Sequence, residues 1–175
     1  LTRTLRRYAT ANATACLPCA ASGVAAKGEA SISCATCDAG FAPSSDHSKC
    51  EICPMGTAAP AGSSACSPCP LGHAASQGST ICEDCRELSG YHVNDLGDRC
   101  DACDAGKFAT ANATTCIRCP PNGVAAEGSR SGSCATCGNG YAPDAGRTSC
   151  QICLMGTQSN GTHCEPCQAG HVSTA

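Results

Sequence analysis

The sequence predicts a small disulfide-rich fold, mostly irregular with short β-hairpins. It reads as an elongated tandem array of about ten one-disulfide modules without a large hydrophobic core. Three observations predict this. Twenty of the 175 residues are cysteine, above the level that marks a disulfide scaffold. All twenty fall in ten C-x-x-C pairs, beginning at Cys16, Cys34, Cys50, Cys66, Cys82, Cys100, Cys116, Cys134, Cys150 and Cys164, and spaced 14 to 18 residues apart. Many of the apolar residues are Ala and Cys; there is no Trp, and only three Tyr and two Phe. Fixing the backbone costs roughly 1–2 kcal/mol per residue. Alanine methyl groups bury too little area to offset that at about 25 cal/mol per Å². Covalent cross-links must therefore hold the chain.

A longer period lies over the short one. "YATANATACLPC" from Tyr8 returns as "FATANATTCIRC" from Phe108, "SCATCDAGFAP" as "SCATCGNGYAP" and "CEICPMGTA" as "CQICLMGTQ", each shifted by 100 residues. Residues 1–15 thus form an N-terminal arm and 16–115 a first cysteine-rich super-repeat. Residues 116–175 form a partial second one that ends in an incomplete module. Repeats of this kind build a stack in which each module meets its neighbours.

Within a module, the second cysteine of a pair is followed by x-x-Gly, or by a glycine one or two places later. Glycine there is expected to supply the positive φ of a tight bend. Small residues follow, then a turn rich in Gly, Ser, Asn and Asp, then the next cysteine. That reads as a short hairpin closed at its base. "GVAAKGEA" and "GVAAEGSR" are too short and too Gly-interrupted for helix, so almost none is expected. Phe41, Tyr91 and Tyr141 directly follow the module glycine, and Phe108 comes one residue later. Each ring is expected to cover a neighbouring disulfide.

C-x-x-C supports three chemistries. The spacing fits a zinc ribbon locally, but this chain would need five sites and has little core to carry them. A redox-active pair needs a helix N-terminus to lower the thiol pKa, and nothing here supplies one. Disulfides remain, and they imply an oxidising compartment. The sequons at Asn12, Asn112 and Asn160 fit a secreted chain and are read as N-glycosylation sites. No metal or other cofactor is expected.

Net charge is −3 and the charges are scattered. There is no basic stripe for nucleic acid, no run for a transmembrane helix and no irregular apolar patch for a receptor surface. The histidines (His47, His73, His92, His163, His171) sit in different modules without a repeated carboxylate or serine partner. Each is read as a solvated loop residue, and no enzymatic activity is expected.

The pattern C-x-x-C-P-x-G-T, as in "CEICPMGTAAPAGSSACSPCPLGH", resembles the ephrin-receptor-like cysteine-rich repeats, relatives of the EGF and tumour-necrosis-factor-receptor modules. "CDAGFAPSSDHSKC" is similar to the C-terminal hairpin of an EGF module. Tandem arrays of this sort also occur in protist surface antigens and in mastigoneme-type filament proteins. The resemblance implies a rod-like, extracellular, non-enzymatic protein.

Two regular pairings fit the spacing. In one, the second cysteine of each pair bonds to the first of the next: Cys19–Cys34, Cys37–Cys50, Cys53–Cys66, Cys69–Cys82, Cys85–Cys100, Cys103–Cys116, Cys119–Cys134, Cys137–Cys150 and Cys153–Cys164. In the other, neighbouring pairs cross-link first to first and second to second. The recurrence of x-x-Gly after every pair favours the former. It leaves Cys16 and Cys167 without partners, since Arg3 occupies the position equivalent to Cys103. One end then offers the arm with Tyr8 and Cys16, and the other offers Cys167 and Gly170. Together they would complete one module between two copies, and an open head-to-tail contact makes a filament.

The opening Leu1, with no signal-peptide pattern after it, reads as a processed chain or a piece of a longer array. The expected function is a structural subunit of an extracellular glycosylated filament or coat, a homopolymer carrying N-linked glycans. The alternative is the stalk or ligand-binding ectodomain of a surface receptor.

Overall fold

The computed structural model of the chain describes residues 7–9 by their backbone, and residues 15–25, 33–128 and 133–172. Arg3, Asn12 and the side chain of Tyr8 lie outside the described residues. Among the described residues there is no helix. Ten two-stranded sheets follow one another, each made of strands adjacent in sequence. The strands are two or three residues long, from Arg7–Ala9 with Cys16–Pro18 to Thr157–Ser159 with Cys164–Pro166. Two compact units contain them: Leu1–Glu83 with Asp95–Arg99, and Asp84–Asn94 with Cys100–Ala175.

Nine disulfides close nine of the hairpins, at sequence separations of 11 to 15. Each joins the second cysteine of one pair to the first cysteine of the next, from Cys19–Cys34 to Cys153–Cys164. A bond closing about 15 residues stabilises by about 3 kcal/mol in the chain-entropy account. That makes the disulfides the largest single contributions to a fold with so little side-chain interior. The two sulfurs of a bridge are not equivalent. In six of the nine the second cysteine of the pair reaches the interior, with Cys37, Cys53, Cys85 and Cys103 all 2% exposed or less, while Cys69, Cys137 and Cys153 stay half-buried. The first cysteine is half-buried in all nine.

The rest of the interior is mostly alanine, with Val24, Val124 and Ser44. Ala59 and Ala142 are fully buried, and Ala74, Ala75, Ala109 and Ala125 nearly so. Their small size has a geometric reason. Ala59 accepts the Gly40 N–H at 2.8 Å, from the module before, and gives its own N–H to the Ser79 carbonyl at 3.1 Å, in the module after. Ala75 does the same between Gly56 and Gly97, and Ala125 between Gly106 and Arg147. The stack is thus joined through main chains, and a large side chain at these positions would hold the backbones apart.

A second backbone bond recurs. The N–H of Cys53, Cys69, Cys103, Cys119, Cys153 and Cys167 donates to the carbonyl of Gly40, Gly56, Gly90, Gly106, Gly140 and Gly156 respectively, at 2.8–2.9 Å. Each such bond is worth about 0.5–1.5 kcal/mol net, and none depends on side-chain identity. Loops can therefore vary while the ladder persists.

The glycine rule needs one correction. Gly40 fits the expectation of positive φ, at +81°, and an added Cβ would fall 2.1 Å from the Gly78 carbonyl oxygen. Gly23 does not fit, because its φ lies outside the left-handed region. It is glycine because a Cβ would sit 3.0 Å from the Cβ of Cys34 and 3.3 Å from that of Cys19. The extra residue before this glycine moves it out of the bend and up against the disulfide.

Candidate functional site

The features that could act beyond the chain itself are its unbonded cysteines, its sequons and its exposed apolar residues. Cys16 is exposed and Cys167 is half-buried, and both are free thiols. Cys16 lies at the end of a hairpin with normal backbone register: Arg7 opposite Pro18, Tyr8 opposite Leu17 and Ala9 opposite Cys16. The equivalent hairpin in the second super-repeat has the same register, with Lys107 opposite Arg118, Phe108 opposite Ile117 and Ala109 opposite Cys116. There Cys116 is bonded to Cys103. The hairpin carrying Cys16 therefore has a module's backbone and one half of its disulfide.

Cys167 supplies the opposite half. Its N–H donates to the Gly156 carbonyl at 2.9 Å, as the other second cysteines do to their glycines. Gly170 has φ +83° and His171 N–H closes the turn onto the Gln168 carbonyl at 3.0 Å. The opening turn of a module is in place there.

Asn112 and Asn160 are both exposed on hairpin tips. At each, the sequon hydroxyl donates to the asparagine Oδ1: Thr114 Oγ1 at 2.9 Å and Thr162 Oγ1 at 2.7 Å. Asn160 Oδ1 also accepts the Thr162 and His163 N–H groups, at 2.9 and 3.1 Å. Ala113, inside its sequon, is only 1% exposed and adopts φ +51°. Its carbonyl accepts the Val93 N–H at 2.8 Å. The sequon loop is therefore docked on the hairpin before it while its asparagine faces outward.

Phe41, Phe108 and Tyr141 stand directly across their hairpins from Ile52, Ile117 and Ile152. Cross-strand neighbours of this kind share one face. The register thus assigns these rings an aliphatic partner, which the sequence pattern alone does not. The sequence also gives no sign of an apolar surface, and here the structure differs. Ile52, Ile117 and Ile152, all inside a C-x-x-C pair, are 45–63% exposed. Leu71, Leu154 and Met155, just after such pairs, are 74–98% exposed. The disulfide occupies the little interior each module has, so the aliphatic side chains are left outside.

The expectation that all the histidines are loop residues holds for His47, His163 and His171, whereas His73 and His92 lie on strands. His47 and His92 place Nδ1 2.8 Å from the carbonyls of Gly23 and Val93, so that nitrogen carries the proton and donates. No group of three or more potential metal ligands occurs among the described residues. No helix there is long and apolar enough to cross a membrane. Nine disulfides require an oxidising environment for the folded chain. No protein-family model matches the sequence, and no curated protein matches it.

Proposed function

We propose that this chain is a structural subunit of a secreted, N-glycosylated filament or surface coat, assembling head to tail. The observation that carries the reading is the placement of the two free thiols. Cys16 stands where other hairpins have the outer half of a disulfide, and Cys167 where they have the inner half. A bond between Cys167 of one copy and Cys16 of the next would continue the ladder without a new kind of contact. The hairpin that the arm strand Arg7–Ala9 already makes with Cys16–Pro18 would then close the module that Cys167 opens. The resemblance to ephrin-receptor-like and EGF-type arrays supports an extracellular setting, as do the sequons. Glycans on Asn12, Asn112 and Asn160 would keep the loops solvated.

The test is non-reducing electrophoresis of the secreted full chain beside Cys16→Ser and Cys167→Ser. A ladder of covalent oligomers, lost in either variant and collapsed by reductant, is the expected result. A monomer under every oxidising condition overturns head-to-tail assembly. The runner-up, a receptor stalk or ligand-binding ectodomain, is favoured by one observation, the exposed Leu71, Leu154 and Met155. Binding of a protein partner by the monomer, lost on changing these three to Ser, would support it.

A further inference from the structure

The chain contains three Asn–Gly steps: Asn122–Gly123, Asn139–Gly140 and Asn160–Gly161. This dipeptide is the one most open to intramolecular imide formation, because glycine leaves the attacking nitrogen unshielded. In a folded protein the reaction also requires that nitrogen to be free and the asparagine side chain to be loose. The three steps differ sharply in both respects.

At Asn122–Gly123 the glycine is buried and its N–H is held by the Pro120 carbonyl at 2.8 Å. At Asn160–Gly161 the glycine N–H donates to Ser159 Oγ at 3.1 Å. The Asn160 amide is tied as well, with Nδ2 donating to Glu165 Oε2 at 3.1 Å and Oδ1 accepting from Thr162. At Asn139–Gly140 both residues are exposed. Gly140 N–H donates to no backbone carbonyl among the described residues, whereas its counterpart Gly40 donates to Ala59. Nothing lies within 4 Å of where a Gly140 Cβ would be.

We infer that Asn139 is a site of spontaneous deamidation and isoaspartate formation, an ageing point built into the base of the Cys137–Cys150 module. The deprotonated Gly140 nitrogen attacks Asn139 Cγ, and the Cγ–Nδ2 bond breaks. Nδ2 takes up a proton from water and leaves as ammonia. Water then opens the cyclic imide at either carbonyl, giving aspartate or isoaspartate. One water enters, one ammonia leaves and nothing is oxidised or reduced. Isoaspartate lengthens the main chain between Cys137 and Tyr141 by one methylene and adds a negative charge. It does so beside the Gly140 carbonyl, which accepts the Cys153 N–H at 2.8 Å and joins this module to the next. An extracellular structural protein that is not renewed would accumulate this lesion at that junction.

The test uses the full chain made in a non-glycosylating host and folded oxidatively, so that Asn160 is unmodified. It is aged in mildly alkaline buffer and analysed by peptide mapping with an isoaspartyl-methyltransferase assay. Holding a nitrogen in one ordinary hydrogen bond slows its reaction about fivefold. Asn139 should therefore convert at least about fivefold faster than Asn122 or Asn160. In the reduced, denatured chain the three rates should converge. Ser159→Ala, which frees the Gly161 N–H, should accelerate Asn160 alone. Faster conversion at Asn122 or Asn160 in the folded chain overturns the inference. So does a folded chain in which none of the three reacts while the denatured one does.

Discussion

The modules Cys37–Cys50 and Cys137–Cys150 are super-repeat equivalents, and their tips solve one problem with different residues. Both tips share a backbone: Ser44 N–H donates to Lys49 O and His47 N–H to Ser44 O, matching Asp144 to Ser149 and Arg147 to Asp144 at 2.8–2.9 Å. Both put a non-glycine residue in the left-handed region, His47 at φ +56° and Arg147 at +58°. Both use that residue to reach back to the module before. His47 donates from Nδ1 to the Gly23 carbonyl, and the Arg147 guanidinium donates to those of Pro120 and Gly123. A carboxylate gathers the tip in each. In the first it is Asp46, accepting from Ser44 Oγ, Ser48 N–H and Ser48 Oγ. In the second it is Asp144, accepting from Thr148 N–H, Thr148 Oγ1 and Ser149 Oγ. Both tips thus pair a donor at one fixed position, 47 or 147, with a carboxylate whose sequence position differs.

The two modules differ more in how they are packed, and the largest test acts there. Cys37 is 2% exposed, whereas Cys137 is half-buried. Removing either disulfide as a double alanine variant should cost about 3 kcal/mol from loop closure. Cys37→Ala with Cys50→Ala should cost more than Cys137→Ala with Cys150→Ala, because it also empties a filled site. Repeat stacks unfold in parts, so the measurement is native-state hydrogen exchange of each hairpin's amides. Equal losses would show that burial of the sulfur contributes nothing beyond the cross-link.

Gly40 and Gly140 sharpen the same contrast. Alanine at either is strained, with φ at +81° and +77°, a penalty of about 1–2 kcal/mol. At Gly140 the new methyl meets nothing within 4 Å, but at Gly40 it would lie 2.1 Å from the Gly78 oxygen. Gly140→Ala should show the backbone penalty alone. Gly40→Ala should lose more, with exchange protection falling in the Cys69–Cys82 module as well as its own. Indistinguishable variants would mean that the Gly40–Gly78 approach is not needed for stacking.

The hairpin ladder is legible in the sequence because its signals are local: a cysteine pair, a glycine a few residues on, then a turn. What packs one module on the next is far less legible. Ala59, Ala75 and Ala125 read as weak core residues, yet each is small because its main chain bonds both neighbours. Gly23 reads as a bend residue, and its true constraint is the Cys19–Cys34 disulfide, between residues 15 apart in sequence, packed against it. The tip carboxylate is hidden for another reason. It moves from position 46 to 144, so a register-by-register match pairs Asp46 with Gly146 and misses the shared task. Exposure of Leu154 and Met155 follows from the absence of an interior to receive them, which composition hints at but does not locate.

The smallest effect concerns that carboxylate. The hydroxyls of Thr148 and Ser149 and the Thr148 N–H hold Asp144 below its ordinary value of 3.8, to about 2. A carboxylate depressed in the folded chain contributes stability that is fully present above the unfolded value. That contribution fades as pH falls from 3.8 towards about 2. The group is fully exposed, so solvent screens it and the consequence should be confined to the tip. Acidification should release the Thr148 amide, which donates to Asp144 Oδ1 at 2.8 Å. Its NMR shift should follow the Asp144 carboxyl with a midpoint near 2 rather than 3.8. Asp144→Asn should abolish that titration while leaving the Cys137–Cys150 disulfide and the strand register intact, because the amide oxygen still accepts. A wild-type midpoint at the ordinary carboxylate value would mean that the Thr148 and Ser149 hydroxyls do not favour the charged form. The likeness between the two tips would then be one of shape alone.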